Sequence, residues 1–183
     1  LFETKNISRS PAAFNHEKLL WLNQHYIKEL NRNDVAEALK PHLAKLDVDL
    51  AQGPELAGLV ALLADRAKTL EEMAAMSVYF YRDVDQYDEK AAKKFLSEKS
   101  VKVFEVLLKQ FKKLECWEKE PLHDIVKVTA TQLELGMGKV AQPIRVAVTG
   151  NTISPSIDAT LELLGRDKTV ARLEKALAYC QSK

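Results

Sequence analysis

Glycine and proline are concentrated in one stretch of this 183-residue sequence. Four of the six glycines and two of the six prolines lie between Gly136 and Gly165. Glycine permits backbone angles that other residues avoid and proline fixes them, so both concentrate where a chain presents a shaped surface. The rest of the sequence has apolar residues at helical spacing. We therefore expect the functional surface at residues 136–165, supported by the earlier helices.

Apolar residues recur every three to four positions along most of the chain, which is the spacing of amphipathic helices. Together with Gly, Pro and capping residues, this spacing predicts an all-α fold in two helical halves. The predicted helices cover residues 15–30, 33–46, 54–66, 70–81, two stretches within 89–114, 121–135, 155–164 and 168–177.

Several residues predict where these helices begin, bend or end. Asn15 and Asn33 are predicted N-caps, because an Asn side chain can accept hydrogen bonds from the free amides of a first turn. Pro41 predicts a kink or break in the second helix. Thr69 followed by Glu72 fits a capping box. The polar, non-periodic segment 83–88 is the predicted boundary between domains 1–88 and 89–183.

The segment 144–148 is ambiguous in its local pattern. Apolar residues alternate there as in a strand, but Pro143 in front of it suits a helical first turn equally well. No other segment reads convincingly as a partner strand, so we predict a helix. Gly136 and Gly138 are predicted to end the helix before it.

Composition excludes several classes of protein. With 46% hydrophobic and 29% charged residues the chain is predicted to be globular, and the net charge of +1 does not by itself indicate nucleic-acid binding. No apolar run is long enough to span a membrane. Two cysteines and an N-terminus without a signal-peptide core favour a reduced, cytoplasmic protein. Because it does not start with Met, we expect a piece of a longer chain.

Conventional catalytic and metal-binding patterns are lacking. The four histidines fall in separate elements without metal-ligand spacing, and neither cysteine has the surroundings of a nucleophile. The segment 136–139, GMGK, resembles a fragment of a phosphate-binding loop but lacks the full spacing. We therefore predict neither a catalytic residue nor a metal ligand in this chain.

The turn from Gly150 to Pro155 is more promising. Ser154 as a cap followed by Pro155 predicts the start of a helix that Gly165 ends. The free amides and dipole of a helix N-terminus favour an anion such as a phosphate. Arg145, shortly before the turn, could offer a planar set of donors to a base edge or a phosphate. On these residues alone, a capped loop beside a surface arginine is the favoured interpretation.

Three motifs in series then point to a family. QPIRVAVTG, SPSIDATLELLG and TVARLEKAL resemble the C-terminal anticodon-binding region of bacterial glutamyl-tRNA synthetase. The N-terminal stretch SPAAFNHEKLLWLNQHYI is similar to the same family's first C-terminal helical domain, and RAKTLEEM, YFYRD and ELGMGKVAQP follow in the family's order. The resemblance covers essentially the whole chain.

The resemblance implies a helical connecting domain that contacts the tRNA stem, followed by an α-helical cage for the splayed anticodon bases. In it, Arg145 matches the arginine that contacts the middle anticodon base, and Ser154, Pro155 and Ile157 match the turn around that base. Arg66 matches the arginine that reads the third base and separates glutamate tRNA from glutamine tRNA. The family often has Thr at position 154 and Gly-Leu at 156–157, so the turn differs in detail.

The resemblance also implies what this chain leaves to another part of the polypeptide. The family's ATP-binding signatures, HIGH and KMSKS, are absent from the sequence, as is any strand–helix region to house them. We therefore expect a non-catalytic fragment without its own cofactor, in an enzyme that uses ATP with Mg²⁺ to attach glutamate to its tRNA. The expected partners are tRNA(Glu) and the catalytic domain of the same polypeptide, in a monomer that does not bind membranes.

Two alternatives stay open. Near-neutral net charge suits a helical protein-interaction module without RNA affinity, since generic RNA-binding proteins are usually more basic. Within the family, a glutamine-specific or non-discriminating relative is the other alternative, and the presence of Arg66 weighs against it.

Overall fold

The computed structural model describes residues 13–182, and every regular element in that part of the chain is helical. The predicted all-α fold is therefore confirmed. The stretch SPAAF is described only from Ala13 onward. The α-helices are α1 His16–Glu29, α2 Arg32–Ala44, α3 Leu56–Leu63, α4 Leu70–Tyr81, α5 Glu89–Phe95, α6 Glu98–Lys113, α7 Lys119–Gln132, α8 Met137–Thr149, α9 Ile157–Leu164 and α10 Arg166–Gln181, with a 3-10 helix at Leu50–Gln52.

The first two helices are capped by asparagines. The Asn15 side chain accepts a hydrogen bond from the Lys18 amide at 2.9 Å, as predicted. The predicted cap at Asn33 is wrong, because Asn31 occupies the N-cap position of α2 and accepts from the Asn33 amide at 2.9 Å. Of the kink or break predicted at Pro41, the break is wrong, because α2 is continuous through this residue. Pro41 lies in the last turn of α2, where one missing amide hydrogen bond does not end the helix.

The capping box at the start of α4 is confirmed for the Thr69 hydroxyl, whereas the Glu72 carboxylate binds a different amide from the expected one. The Thr69 hydroxyl accepts from the Glu72 amide at 3.1 Å. The Glu72 carboxylate reaches back and accepts from the Lys68 amide at 2.7 Å, one residue before the cap. Two amides that lack helical partners are thereby satisfied, so α4 begins at Leu70 and runs on to the aromatic residues at its end.

The predicted role of Gly136 and Gly138 is wrong, whereas the predicted helix over 144–148 is confirmed. α7 ends at Gln132, before either glycine is reached. Gly136 is the N-cap of α8, and Gly138 lies in that helix's first turn. α8 then continues through Pro143 to Thr149, because residues 144–148 have no strand to pair with in the described chain and bury their apolar side chains against other helices.

One hydrophobic core runs through the described chain, from α1 to α10. Its largest fully buried side chains include Phe80, Phe104 and Phe111. α6 packs along α10, α2 packs on α3 and α4, and α7 packs on α8 and α9. The division into domains 1–88 and 89–183 stays a prediction.

A buried arginine of α10 joins the ends of two other helices. Arg172 is 4% exposed, and its guanidinium donates to the Val148 carbonyl at 2.5 Å and to the Arg82 carbonyl at 2.8 Å. Val148 lies in the last turn of α8 and Arg82 follows α4, so both carbonyls belong to helix ends that lack intrahelical donors. Burial lowers the pKa of Arg172, but the guanidinium stays charged. It therefore fixes the two helix ends at one point.

Two lysines on the same face of α10 extend this contact. Lys168 donates to the carbonyls of Gln52 and Phe80, the latter at 2.9 Å. Lys175 donates to the Val84 carbonyl at 2.6 Å. Cations near the C-terminal end of a helix also interact favourably with its dipole. α10 thus holds the end of α4 and the loop that follows it.

We predict that Arg172→Met lowers the free energy of unfolding by about 2–4 kcal/mol, because one buried and one partly buried carbonyl oxygen lose their donor. Urea unfolding followed by circular dichroism measures the change. The matched control is Lys112→Gln, which removes an exposed ion pair with Glu174 and should cost at most about 1 kcal/mol. If the two substitutions lowered the free energy of unfolding equally, the Arg172 hydrogen bonds would contribute no more to stability than an exposed ion pair.

Candidate nucleic-acid interface

The turn between α8 and α9 begins at a glycine that no other residue could easily replace. Gly150 has a φ of 77°, in the left-handed region, and its carbonyl accepts from the Asp88 amide at 2.9 Å. A Cβ at this position would lie 3.1 Å from both the Gln86 carbonyl oxygen and a Val84 methyl group. The turn therefore lies directly against the loop that follows α4.

An arginine from α8 holds the middle of this turn. Arg145 donates from Nε to the Ser154 hydroxyl at 2.8 Å and from Nη2 to the Pro155 carbonyl at 3.4 Å. The Ser154 hydroxyl in turn donates to the Pro155 carbonyl at 2.9 Å. Arginine has five N–H donors, so three of them are not used within the turn. The predicted capping role of Ser154 is wrong, because Ser156 occupies the N-cap position of α9.

The first turn of α9 already carries a negative charge. Asp158 is buried there, with a carboxylate oxygen 3.9 Å from Nδ1 of His123. This carboxylate complements the positive end of the helix dipole. A phosphate at the same helix end would meet a like charge, so the structure does not favour the anion site that the sequence suggested.

A groove of about 590 Å³ runs between the turn and the C-terminal half of α4. This volume is within the range of small-molecule sites and is larger than a nucleobase. Met76 and Tyr79 give it an apolar wall, and Ile153 at the tip of the turn is 73% exposed beside it. Asp83 and Asp85 add hydrogen-bond acceptors along its edge. The lining also includes Ala75, Val78, Arg82, Val84, Gln86, Thr149, Asn151, Ser154 and Pro155.

Two arginines share one electrostatic neighbourhood near this groove. Burial lowers the pKa of Arg145, and the positive charge of Arg66 lowers it further. Among the described residues, no carboxylate lies within ion-pair distance of either arginine; Asp65, next to Arg66, pairs with Lys28 at 2.6 Å instead. Two like charges without a counter-ion attract an anionic ligand such as RNA.

Tyr79 lines the groove and lies within electrostatic reach of both arginines. Its hydroxyl is buried close to that of Thr160, which donates to the Ser156 carbonyl, and forms no hydrogen bond of ordinary geometry with residues 13–182. Burial raises the pKa of Tyr79, so the phenol is neutral at physiological pH. Its ring is therefore an uncharged surface on which a base can stack.

The structure brings most of the sequence-predicted residues together. Ser154 and Pro155 line the groove, and Arg145 hydrogen-bonds to both. Arg66 is exposed in the loop before α4 and acts on Arg145 through its charge. Ile157 does not line the groove; it is buried at the first position of α9.

Sequence reasoning missed the apolar residues of the groove, of which Tyr79 and Ile153 are the most relevant to base binding. Tyr79 lies in a run of aromatic residues that looked like an ordinary helix end. Ile153 was the better signal, because a large apolar residue in a Gly- and Pro-bounded turn is not needed for packing. Its exposure shows that the turn does not bury it.

The family assignment follows from comparison of the whole chain. The family model described as an anticodon binding domain matches residues 34–177, which include the turn, Arg66, Arg145 and the groove. The chain belongs to this family. We therefore interpret the groove, and the two arginines that have no ion-pair partner among the described residues, as features of an anticodon binding domain.

Similar proteins support the same assignment. Glutamate–tRNA ligase 1 of Coxiella burnetii (strain RSA 493 / Nine Mile phase I) is 50% identical over 179 residues, which are 98% of this chain and 38% of that protein. The chain therefore spans less than two-fifths of the length of this curated relative.

Two solved structures show the same fold. One is a glutamate tRNA ligase from Elizabethkingia meningosepticum in complex with its amino acid, with a TM-score of 0.83, 24% identity, and coverage of 97% of this chain and 35% of that chain. The other is a glutamate-tRNA synthetase from Elizabethkingia anophelis, with a TM-score of 0.78, the same identity, and coverage of 97% and 34%.

No helix within residues 13–182 has both the length and the apolar character to cross a bilayer. The same residues contain no group of three or more His, Cys, Asp or Glu side chains placed to hold a metal ion.

We predict that Gly150→Ala lowers the free energy of unfolding by about 1–3 kcal/mol, because an alanine there has both a strained φ and a crowded Cβ. Gly138→Ala is the matched control. Nothing lies within 4 Å of its added Cβ, and it is in the first turn of the same helix. That substitution should stabilise by up to about 1 kcal/mol. Chemical denaturation that ranked the two variants the other way would contradict the assigned turn geometry.

Proposed function

We propose that this chain is the tRNA-binding C-terminal region of a glutamyl-tRNA synthetase and that it recognises the anticodon of tRNA(Glu). The observation that carries the proposal is the groove beside the Arg145-held turn, within a chain that matches the anticodon binding domain family. The names and lengths of its relatives support the rest, since each is a glutamate–tRNA ligase of which this chain matches a minor part.

The groove offers each interaction that an unstacked base requires. RNA is read most specifically through single-stranded bases that are stacked on aromatic or arginine planes and hydrogen-bonded at their edges. The Tyr79 ring supplies a flat aromatic surface and Ile153 supplies an apolar contact. Asp83 supplies an acceptor for an exocyclic amino group. We propose that the three donors of Arg145 not used in the turn bind a base carbonyl, while its other two donors keep Ser154 and Pro155 in place. We infer that Arg145 reads the middle anticodon base and that Ser154 and Pro155 shape its pocket.

Arg66 is proposed to read the third anticodon base. It is exposed, has no ion-pair partner among residues 13–182, and lies within electrostatic reach of Arg145. A side chain with free donors is available to a base edge, and an arginine there can tell a base that accepts hydrogen bonds from one that does not. The chain would then belong to an enzyme that separates glutamate tRNA from glutamine tRNA.

Bond-making is assigned to a part of the polypeptide outside this chain. The full-length enzyme is proposed to activate glutamate with ATP and Mg²⁺ and to transfer it to tRNA(Glu), as a cytoplasmic monomer. Anticodon contacts made by this chain would then act by orienting the distant acceptor end, so they can affect turnover as well as affinity.

We predict that Arg145→Ala weakens binding of tRNA(Glu) by about 1–3 kcal/mol, the usual cost of losing a directional base contact. Filter binding against a tRNA(Glu) transcript measures the effect. The control is Ser154→Ala, which removes the acceptor within the turn but keeps the guanidinium. If Arg145 contacts RNA, its loss costs clearly more than the loss of Ser154. Wild-type affinity in the Arg145 variant would reject the assignment.

We also predict that Arg66→Gln relaxes discrimination at the third anticodon base, because glutamine has both a donor and an acceptor whereas arginine only donates. The full-length enzyme carrying this change should charge glutamine tRNA better relative to glutamate tRNA than the wild type does. Arg32→Gln, at the start of α2, is the matched control for loss of charge. An unchanged charging ratio in the Arg66 variant would mean that another residue reads this base.

One observation favours a second candidate, a protein-interaction module. The outer face of α1 exposes an apolar stripe, with Leu19, Leu22, Tyr26 and Leu30 each 39–53% exposed. Other side chains of α1 attach the helix to the loop before α4. Asn23 and Gln24 donate to backbone carbonyls of this loop, and Lys28 forms an ion pair with Asp65.

Salt dependence of tRNA(Glu) binding separates the two candidates. Binding that uses phosphate contacts weakens steeply as salt rises, because counter-ions are released from the RNA. No affinity for tRNA(Glu) at low salt would favour the protein-interaction module over the proposed function.

A further inference from the structure

A second cavity lies on the other side of the turn, between α5 and α8. Its volume is about 490 Å³. We call it the α5–α8 cleft. Its lining consists of Asp88, Lys90, Ala91, Lys94, Phe95, Gln142 and Thr152.

The cationic groups of the α5–α8 cleft lack protein counter-ions. Lys90 and Lys94 are one helical turn apart on α5, and neither forms an ion pair with a carboxylate of the described residues. The Lys94 ammonium lies 5.0 Å from the ring centroid of Phe95. Like charges at this spacing destabilise a helix slightly. An anionic ligand would remove that repulsion.

The one carboxylate of the cleft is engaged in capping. Asp88 is the N-cap of α5, and its Oδ1 accepts from the Ala91 amide at 2.8 Å. α5 has only seven residues, so its dipole adds little, and attraction for an anion rests on the lysine side chains. Two ammonium groups against one engaged carboxylate leave the cleft positive.

The remaining polar lining of the cleft is uncharged and comes from Gln142 and Thr152. The lysines therefore decide which ligand the cleft attracts. Every nucleotide of RNA carries a phosphate, the anion that neighbouring lysines neutralise when a protein binds a nucleic-acid backbone. The cleft therefore suits a backbone phosphate.

The cleft and the groove are separated only by the turn. Thr152 lines the cleft, whereas Asn151 and Ile153 on either side of it line the groove. A nucleotide has its base on one side of the sugar and its phosphate on the other. The groove edge carries Asp83 and Asp85, which repel phosphate, so a base in the groove would direct its backbone away from them.

We propose that the α5–α8 cleft binds a backbone phosphate of the RNA whose base enters the groove, with Lys90 and Lys94 as the phosphate contacts. The proposal rests on the proposed function, because it supplies the backbone site for the same RNA. It assigns to α5 the sequence-independent part of binding, while the groove and the arginines supply base recognition.

The test compares the wild type with a Lys90→Gln/Lys94→Gln double variant in binding to a tRNA(Glu) transcript over a series of salt concentrations. Glutamine keeps helix propensity close to that of lysine, so the fold is retained. We expect severalfold weaker binding at low salt. The slope of log K against log salt should become shallower by about 0.7, the value for one single-strand phosphate contact. Lys109→Gln/Lys127→Gln, which removes the same charge from exposed positions of α6 and α7, is the control.

A second measurement locates the phosphate. RNAs that each carry one neutral methylphosphonate linkage in the anticodon loop are titrated against both proteins. We expect one linkage to weaken binding by the wild type and to have no further effect in the Lys90/Lys94 variant. Equal affinities and slopes for the wild type, this variant and the control would overturn the α5–α8 phosphate site, while leaving anticodon recognition intact. Failure of the wild type to bind the transcript would instead overturn the proposed function itself.

Discussion

The structure depends on one buried cation, Arg172, and on the two backbone carbonyls to which it donates hydrogen bonds. A desolvated guanidinium must have hydrogen-bond acceptors, and the last carbonyls of a helix lack intrahelical donors. Each therefore satisfies the other at the ends of α4 and α8. These are also the helices that lead into the two walls of the groove. The distance between the walls is thus set by α10, which itself does not line the groove.

Arg145 uses two of its five donors to hold the turn between α8 and α9. Nε and one Nη2 hydrogen hold Ser154 and Pro155, so the turn is formed before any ligand arrives. Pre-organised contacts reduce the entropy lost on binding. The nearby charge of Arg66 is unfavourable for the isolated protein and becomes favourable when an anionic partner neutralises both. An unbalanced pair of arginines is therefore consistent with a surface that binds RNA.

Local chemistry explains what the sequence predicted correctly. Helix positions, the Thr69 capping box and the helix over 144–148 follow from periodicity and from near neighbours, as does the end of α9 at Gly165. Caps were misplaced where two similar residues competed, as Ser156 did with Ser154. Contacts from α10 to the carbonyls of distant helices could not be predicted, because every residue has a carbonyl and none is marked in the sequence. Tyr79 was likewise recognised as part of the groove only in the structure, because its place beside the turn depends on contacts between distant parts of the chain.

The most direct measurement of anticodon recognition is an NMR titration of the ¹⁵N-labelled chain with the anticodon stem-loop of tRNA(Glu). If the groove and its turn bind the unstacked bases, the largest saturable shifts will be those of backbone amides in residues 82–88 and 151–157. The same stem-loop with altered anticodon bases should shift them far less. Saturable binding with shifts confined to the apolar face of α1, or identical shifts for both RNAs, would contradict base recognition at this turn.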